Sequence, residues 1–323
     1  MAQASNTYDT QDAVGLREDL TDTIFNTSPT ETPFTSRIAG RGKKPKAVKC
    51  EWQNDDLAAA DGDNAQDEGD EYNYEDSTPT ARVGNYCQIL SKGIVVSETL
   101  EEVEAAGRAS EMAYQTVKRG KEWKRDLEKI VLSPQASSVV GKKRKMGGLG
   151  AWLETNTDRG TGGADGGYNT GTGYVDAPTD GTQRAFVKSQ LDGVIRSCFD
   201  NGATPKIIMT GSANKQVFSG FTGISELRTA VNPESKKAAK QATLVGAADA
   251  YLSDFGLLLV ITNRFQRSRE VFVLDSDHVK LSWLRRMKRK KPSKTGDADK
   301  RIIIGEVTLR VDEKAHGAVA DLT

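Results

Sequence analysis

The side chains that most often bind metals or act as nucleophiles are few and widely separated in this sequence. The only histidines are His278 and His316, and the three cysteines are Cys50, Cys87 and Cys198. No CxxC spacing links the cysteines, so the sequence lacks the ligand clusters typical of zinc sites. An odd number of cysteines in so long a chain suggests reduced thiols in a cytoplasm. We therefore predict structural roles for all five residues and no bound metal.

A glycine-rich stretch is the feature that most resembles a phosphate-binding loop. The sequence GTGGADGG at residues 160–167 contains no GxxxxGK[ST] pattern, and no clear strand and helix flank it. The chain also lacks a nucleophile elbow, an HExxH motif and a dinucleotide-binding fingerprint. We therefore predict that the protein is not an enzyme and has no cofactor.

Charge is balanced overall, with 45 basic and 45 acidic residues, but it is unevenly distributed. Ten acidic residues and no basic one lie between Asp55 and Asp76, so this segment must face water or a basic partner. Seven of the ten residues from Arg285 to Lys294 are basic, and residues 142–145 form a second basic group. These clusters and two aromatic residues near the N-terminus supply the predicted contacts with other chains, namely Asp55, Asp56, Asp67, Glu68, Asp70, Glu71, Arg285, Arg286, Lys288, Arg289, Lys290, Lys291, Lys142, Lys143, Phe25 and Phe34.

The basic run RRMKRKKPSK has two open interpretations. Its proline and lysines predict a hairpin tip between two strand-like runs. No aromatic residue interrupts the run and no known recognition module surrounds it, so readout of base sequence is not expected. Nonspecific contact with phosphates and charge pairing with another protein both remain open.

The N-terminal third predicts an arm and a long hairpin. Residues 1–45 have little apolar periodicity and several prolines, which favours either an extended arm whose Phe25 and Phe34 cover a neighbour or a partly disordered tail. Residues 46–97 have strand-like flanks at 47–53 and 82–96 around the acidic segment, which predicts a projecting hairpin. The alternative for the acidic segment is a loop that contacts only solvent.

One long helix is predicted after the hairpin. Thr99 and Glu102 fit a capping box, and residues 98–132 contain no proline. Such a helix would be about 50 Å long, which suits a strut in a plate-like subunit. Its apolar spacing lapses at Ser110 and Lys121, so a coiled coil is not supported. The glycine-rich residues 155–182 then predict a long loop.

The remaining pattern predicts an α+β fold. A helical face starts at Phe186 and ends before Asn201 and Gly202. Helix and strand signals then follow without the regular alternation of a doubly wound sheet or a barrel. We predict a helix at 212–218 and strands at 206–209, 242–252, 256–262, 270–274, 278–284 and 301–311.

No targeting or membrane segment is expected. The N-terminal region has no basic stretch followed by an apolar one, and the longest aliphatic run is Leu257–Ile261. Secretion and contact with a membrane are therefore not predicted.

Six stretches, in order, resemble the SU10-type major capsid proteins of tailed bacteriophages, which have the HK97-like fold. They are REDLTDTIFNTSPTETPFTSRI (17–38), KCEWQNDDL (49–57), GLGAWLETN (148–156), FDNGATPKIIMTGSANKQVFSGF (199–221), YLSDFGLLLVITNRF (251–265) and VFVLDSDHVKLSWLR (271–285). Together they span nearly the whole chain.

The resemblance implies a particular organisation. Its parts would be an N-terminal arm (1–45), an extended loop (46–97), a peripheral domain with a spine helix and the glycine-rich loop (98–184), an axial domain (185–265), and strands that return to the peripheral domain (266–323). Because the arm begins near Met1, removal of a long N-terminal prepiece is not expected.

The resemblance also implies a function. Copies would form pentamers and hexamers of an icosahedral virion shell, assembled in the host bacterial cytoplasm around double-stranded DNA, with scaffold, portal and cement proteins as further partners. Two alternatives stay open, namely the shell of a bacterial compartment and a soluble protein that binds nucleic acid through residues 285–294.

Overall fold

The computed structural model describes residues 28–66, 68, 69, 71, 76–104, 106–221 and 249–323. Its helices are α1 (Pro33–Ile38), α2 (Glu98–Glu102), α3 (Glu111–Leu132), α4 (Leu149–Trp152), α5 (Lys188–Asp200) and α6 (Ser212–Ser219), with a short 3-10 helix at Glu313–Ala315. The strands of the first half are β1 (Lys49–Asn54), β2 (Ala81–Tyr86), β3 (Gln88–Ser97), β4 (Ser138–Val140), β5 (Lys143–Lys145), β6 (Thr157–Asp158), β7 (Gly167–Asn169) and β8 (Tyr174–Asp176). Those of the second half are β9 (Ile207–Thr210), β10 (Ala250–Ser253), β11 (Gly256–Thr262), β12 (Glu270–Leu274), β13 (Val279–Lys290), β14 (Ala298–Val311) and β15 (Gly317–Ala320).

A three-stranded antiparallel sheet carries the first hydrophobic core. Its strand order is β13-β14-β3, and α3 packs across it. Trp123 of α3 lies directly over Gly305 of β14, where an added Cβ would be 2.8 Å from Trp123 Cζ2. Trp283 of β13 stacks on Trp123 with ring centroids 5.9 Å apart. The glycine therefore permits the close approach of helix and sheet.

A six-stranded mixed sheet separates this core from a second one. Its order is β10-β11-β9-β12-β15-β6. β12 is buried along its whole length, and its side chains alternate between the cores: Phe272 belongs to the core under α3, and Val271 and Val273 belong to the core under α5. The predicted α+β fold class is confirmed.

The segment predicted as a single long helix is two helices joined by a break. Ser97 caps α2 by accepting a hydrogen bond from the Leu100 amide, so the predicted capping box at Thr99 is wrong. Between the helices Gly107 has φ +74°, and Ser110 starts α3 by capping the Ala113 amide. Serine competes for backbone bonds at a helix start, which explains the break. At 22 residues, α3 is about 33 Å long rather than about 50 Å.

The predicted hairpin forms, but its second flank belongs to two sheets. β1 pairs with β2 in antiparallel register, with Lys49 opposite Tyr86 and Asn54 opposite Ala81. The chain then changes sheet at Cys87, and β3 pairs with β14. The flank at 82–96 is therefore two strands rather than the single strand predicted.

The basic run is mostly strand, not hairpin tip. β13 extends to Lys290, opposite Ile302 of β14, and the chain reverses at 291–297, where Gly296 has φ +77°. The prediction of a tip at 285–290 is wrong because β13 is an edge strand, where exposed lysine and arginine are well tolerated.

The glycine-rich residues 155–182 are folded rather than one long loop. β6 joins the six-stranded sheet, and β7 pairs with β8 as a small hairpin. The carboxylate of Asp321 accepts hydrogen bonds from the amides of Gly160 and Gly181, at 3.1 and 2.8 Å, and from Arg269. Asp321 is 1% exposed and has φ +58°, an unusual value for a residue other than glycine. This buried carboxylate therefore holds both ends of the segment.

The other predictions for the second half are mostly confirmed. α5 ends at Asp200, followed by Gly202 with φ +81°; α6, β11, β12 and β14 cover the predicted ranges, and β9 is shifted by one residue from the predicted 206–209. Of the strand predicted at 242–252, residues 242–248 lie outside the described residues, and β10 begins at Ala250. The resemblance implied that residues 270–284 return beside the long helix, but only β13 does so, since β12 lies in the six-stranded sheet. None of the described helices has the length and hydropathy needed to cross a membrane.

Candidate assembly surfaces

The acidic segment begins where β1 ends and faces water. Asp55, Asp56, Glu68 and Glu71 are all exposed, and Asp67 and Asp70 lie outside the described residues. Asp56 is nevertheless anchored to its own chain, because Lys314 Nζ lies 2.6 Å from its Oδ2. The start of the segment is therefore fixed, and the acidic side chains named here that the structure describes are exposed.

The basic end of β13 is the complementary surface. Lys291 is paired with Asp299 of β14 at 3.0 Å, and this hydrogen-bonded partner lowers the pKa of Asp299. The other cations of the strand end are exposed and form no ion pair with the described part of the chain; they are Arg286, Lys288, Arg289 and Lys290. Uncompensated charge at this density favours an anionic partner.

Glu306 of β14 joins the two basic groups that the sequence separates. Arg144 Nη2 is 2.5 Å from Glu306 Oε1, and Arg285 Nε is 2.8 Å from Oε2. Glu306 is 3% exposed, so both arginines compensate a buried charge. Arg144 also donates to the Cys87 carbonyl at 3.1 Å. Arg285 and Arg144 are thus parts of the subunit's own architecture.

The second basic group is consequently smaller than the sequence suggests. Lys142 and Lys143 are exposed at the turn of the β4–β5 hairpin, where Gly141 has φ +57°. Arg144 points inward to Glu306. Only the lysines of this hairpin are therefore available to another chain.

The aromatic contact candidates do not form an exposed surface. Phe34 is 2% exposed and belongs to the core beneath α3, so the expectation that it covers a neighbour is wrong. Its position follows from α1, whose first amides are bound by the buried Glu128 of α3. Phe25 lies outside the described residues.

Two features of these surfaces were missed from the sequence. Glu306 stands in the apolar strand IIIGEVTL, and a lone acid in such a strand signals a buried partner. The Asp56 to Lys314 pair has no local signal, because the residues are 258 positions apart. Within the described ranges, no group of three histidine, cysteine or acidic side chains could hold a metal ion. The surfaces offer charge and hydrogen bonds for binding another macromolecule.

Comparisons with known proteins agree on one family. The SU10 major capsid protein family model matches residues 3–323. The major capsid protein of Escherichia phage Phieco32 is 29% identical over 315 residues, covering 88% of this chain and 87% of that protein.

Solved structures resemble the whole chain. A chain of the cyanophage A-1(L) capsid asymmetric unit superposes with a TM-score of 0.65 at 11% identity, covering 98% of both chains. A chain from Gordonia phage Cozz has a TM-score of 0.59 at 10% identity, covering 99% of this chain and 97% of that one. At such low identity the likeness concerns the fold alone.

Proposed function

Because the chain belongs to the SU10 major capsid protein family, we propose that its copies form pentamers and hexamers of an icosahedral shell around double-stranded DNA. The chain is a phage major capsid protein, homologous to the shell proteins of tailed phages. We further propose that assembly takes place in the host bacterial cytoplasm, with scaffold, portal and cement proteins as partners. Light scattering and electron microscopy of the expressed chain test this proposal, and a compact monomer at high concentration would contradict it.

The proposed parts of the subunit follow the family organisation. Residues 1–45 serve as the arm, 46–97 as the extended loop, and 98–184 with 266–323 as the peripheral domain. The axial domain is 185–265. β12 and β15 of the 266–323 segment are the exception, because they extend the axial sheet: β12 pairs with β9, and β15 pairs with β12. Limited proteolysis of capsomers, followed by mass spectrometry, would locate the most accessible boundaries.

The proposed contact between copies joins the acidic segment of one to the basic end of β13 on the next. The main support for this contact is that one subunit exposes both surfaces. Four cations at the basic end of β13 have no ion pair with the described part of the chain. A surface that meets a different surface on an identical copy makes a head-to-tail contact, which forms a ring when the rotation between copies closes. Individual exposed pairs contribute only about 0–1 kcal/mol, so the contact depends on repetition around the ring.

Charge reversal tests this contact. Changing Lys288, Arg289 and Lys290 together to glutamate should block assembly, and changing Asp67, Glu68, Asp70 and Glu71 to lysine should partly restore it. Lys291 is left unchanged because it holds Asp299 within its own subunit. Reversal of the exposed Lys118 and Lys121 on α3 is the matched control and should assemble normally. Shells of the unchanged chain should also loosen at 1 M salt, where the Debye length is about 3 Å.

Packaged DNA is the second candidate partner of the basic strand end, because exposed cations without ion pairs also suit phosphates. This role predicts that the reversed variant still forms normal shells. It also predicts that the unchanged capsomers bind DNA with a steep salt dependence that the variant loses. Normal shells from the first variant would favour the DNA-facing role, whereas blocked assembly that the second set of changes does not restore would contradict the pairing with the acidic segment.

A further inference from the structure

A cavity of about 510 Å³ opens beside the basic end of β13. It lies between the chain that follows α1 and the β13–β14 pair. Its lining includes Gly40, Lys44, Trp283, Leu284, Arg286 and Ile304. The cavity is therefore part of the surface proposed above to meet a neighbouring copy.

The lining has an apolar part and a cationic part. Trp283, Leu284 and Ile304 are partly exposed into it. Lys44, Arg285, Arg286, Lys288 and Lys290 supply five positive charges, and of these only Arg285 has an ion pair among the described residues. No carboxylate is among the described lining residues. An occupant should therefore combine an apolar group with negative charge.

Leu57 of the acidic segment has this character. Its side chain is 98% exposed, the largest exposed fraction among the large apolar residues that the structure describes. Asp55 and Asp56 precede it, and Asp61 follows after three alanines. A phosphodiester backbone would supply the negative charge but no aliphatic group for the floor of the cavity. The chemistry of the cavity therefore favours this segment over DNA.

The leucine lies beyond one end of the three-stranded sheet, whereas the cavity lies beside the middle of β14. Asp56 is tied to Lys314, just beyond β14, and Arg310 of β14 lies over Trp52 of β1, 5.5 Å from the ring centroid. Ile304, at the cavity, is six residues from Arg310, or about 20 Å along an extended strand. The leucine of one subunit is thus held away from its own cavity, and a second copy is the remaining source.

We propose that Leu57 of one copy inserts into the cavity of the next, with Asp55 and Asp61 facing Lys44, Arg286 and Lys288. This inference rests on the proposed contact between copies and names its apolar anchor. Burial of a leucine that is otherwise fully exposed adds attraction that salt does not screen, in addition to the charge pairs.

Engineered thiols test the proposal. One chain carries Leu57→Cys and another carries Gly40→Cys, a position at the cavity where an added Cβ meets nothing within 4 Å. The two chains are mixed, assembled and oxidised with diamide, so a disulfide between the new thiols can only join different copies. Gly193→Cys on α5, where a Cβ also meets nothing within 4 Å, replaces Gly40→Cys in the matched control. The unchanged chain is treated in parallel to account for its own cysteines.

We expect a reducible dimer band at twice 35.0 kDa from the first mixture. It should exceed the control by at least about ten-fold, because docking raises the effective concentration of the paired thiols. Particles that form without this dimer would overturn the insertion of Leu57 and leave the shell function intact. Failure of the unchanged chain to form capsomers or shells would instead contradict the proposed function.

Discussion

The carboxylate of Glu128, near the C-terminal end of α3, accepts a hydrogen bond from the backbone amide of Thr35, with N and Oε2 2.8 Å apart. Its other oxygen accepts from the Phe34 amide at 2.9 Å and from Asn263 Nδ2 at 2.5 Å. Thr32, the N-cap residue of α1, makes no side-chain capping bond, so Glu128 supplies the cap from another helix. The buried Glu128 therefore holds two elements in place. One is α1, which precedes the cavity lining, and the other is the end of β11, which Asn263 follows.

Replacement of Glu128 by alanine should strongly destabilise the subunit. The change leaves two helix amides and the Asn263 amide without their acceptor, and each buried unsatisfied group costs about 1–3 kcal/mol. We expect a loss of roughly 3 kcal/mol or more in the free energy of unfolding, measured by urea denaturation of capsomers at fixed concentration. Glu122→Ala removes only the half-exposed pair with Arg119 and should cost less than about 1 kcal/mol. Equal effects of the two changes would contradict the capping role.

Gly305 should tolerate no side chain. A Cβ there would meet Trp123 Cζ2 at 2.8 Å and the Met287 backbone at 3.4 Å, so Gly305→Ala forces the buried tryptophan to move. We expect a destabilisation of about 1–3 kcal/mol. Gly93 on the adjacent strand meets nothing within 4 Å, and Gly93→Ala should be neutral or stabilising by up to about 1 kcal/mol. Thermal unfolding of the two variants provides the comparison.

The sequence identified most strands and the C-terminal end of α5, because apolar runs and the Asn201-Gly202 signal are local. It failed where two local signals compete. Residues 98–132 contain no proline and have most of their apolar residues near helical spacing, yet Gly107 and the capping side chain of Ser110 end one helix and start another. The composition of the basic run is typical of a turn. In the structure most of the run is a strand, because it pairs with β14 at the edge of the sheet, where exposed basic residues are tolerated.

The candidate surfaces show a different limit. Exposure of the acidic segment follows from its composition, and the sequence was sufficient for that. The roles of Arg144 and Arg285 depend on Glu306, and the position of Asp56 depends on Lys314. These partners are distant along the chain, so no local pattern separates an arginine bound within its own subunit from one free for a neighbour.

The three cysteines should remain thiols with very different reactivity. Burial raises the pKa of Cys87 and Cys198 to about 12, and it raises the pKa of the half-buried Cys50 by less. Since the thiolate is the reactive form, native particles at pH 8 should react slowly and at no more than one thiol per chain. After denaturation, three thiols should react with an aromatic disulfide reagent. Fewer than three would indicate a disulfide.

Neighbouring chains should not be joined covalently through lysine on the extended loop. No lysine occurs between Cys50 and Ser91. The lysines that flank this interval are engaged within the subunit, with Lys49 Nζ 3.3 Å from Tyr168 Oη and Lys92 paired with Asp126 at 2.7 Å. Boiled, reduced particles should give a single band near 35.0 kDa on a denaturing gel. A ladder of multimers resistant to reductant would contradict this expectation.

Acidification should destabilise the subunit through His316. The imidazole is fully buried and its Nδ1 accepts a hydrogen bond from the Asp275 amide at 3.2 Å; burial lowers its pKa from 6.5 to about 4. Between these values the unfolded chain binds a proton that the folded chain does not, so stability is full above pH 6.5 and declines until about pH 4. The loss attributable to this group is about 3 kcal/mol, from about 1.4 kcal/mol per pKa unit.

His316→Asn keeps an acceptor for the Asp275 amide and does not titrate, so its unfolding free energy should fall less steeply over this interval, whatever its stability at pH 7. Parallel slopes for this variant and the unchanged chain, measured by urea denaturation of capsomers at pH 7, 5.5 and 4.5, would show that His316 is not responsible.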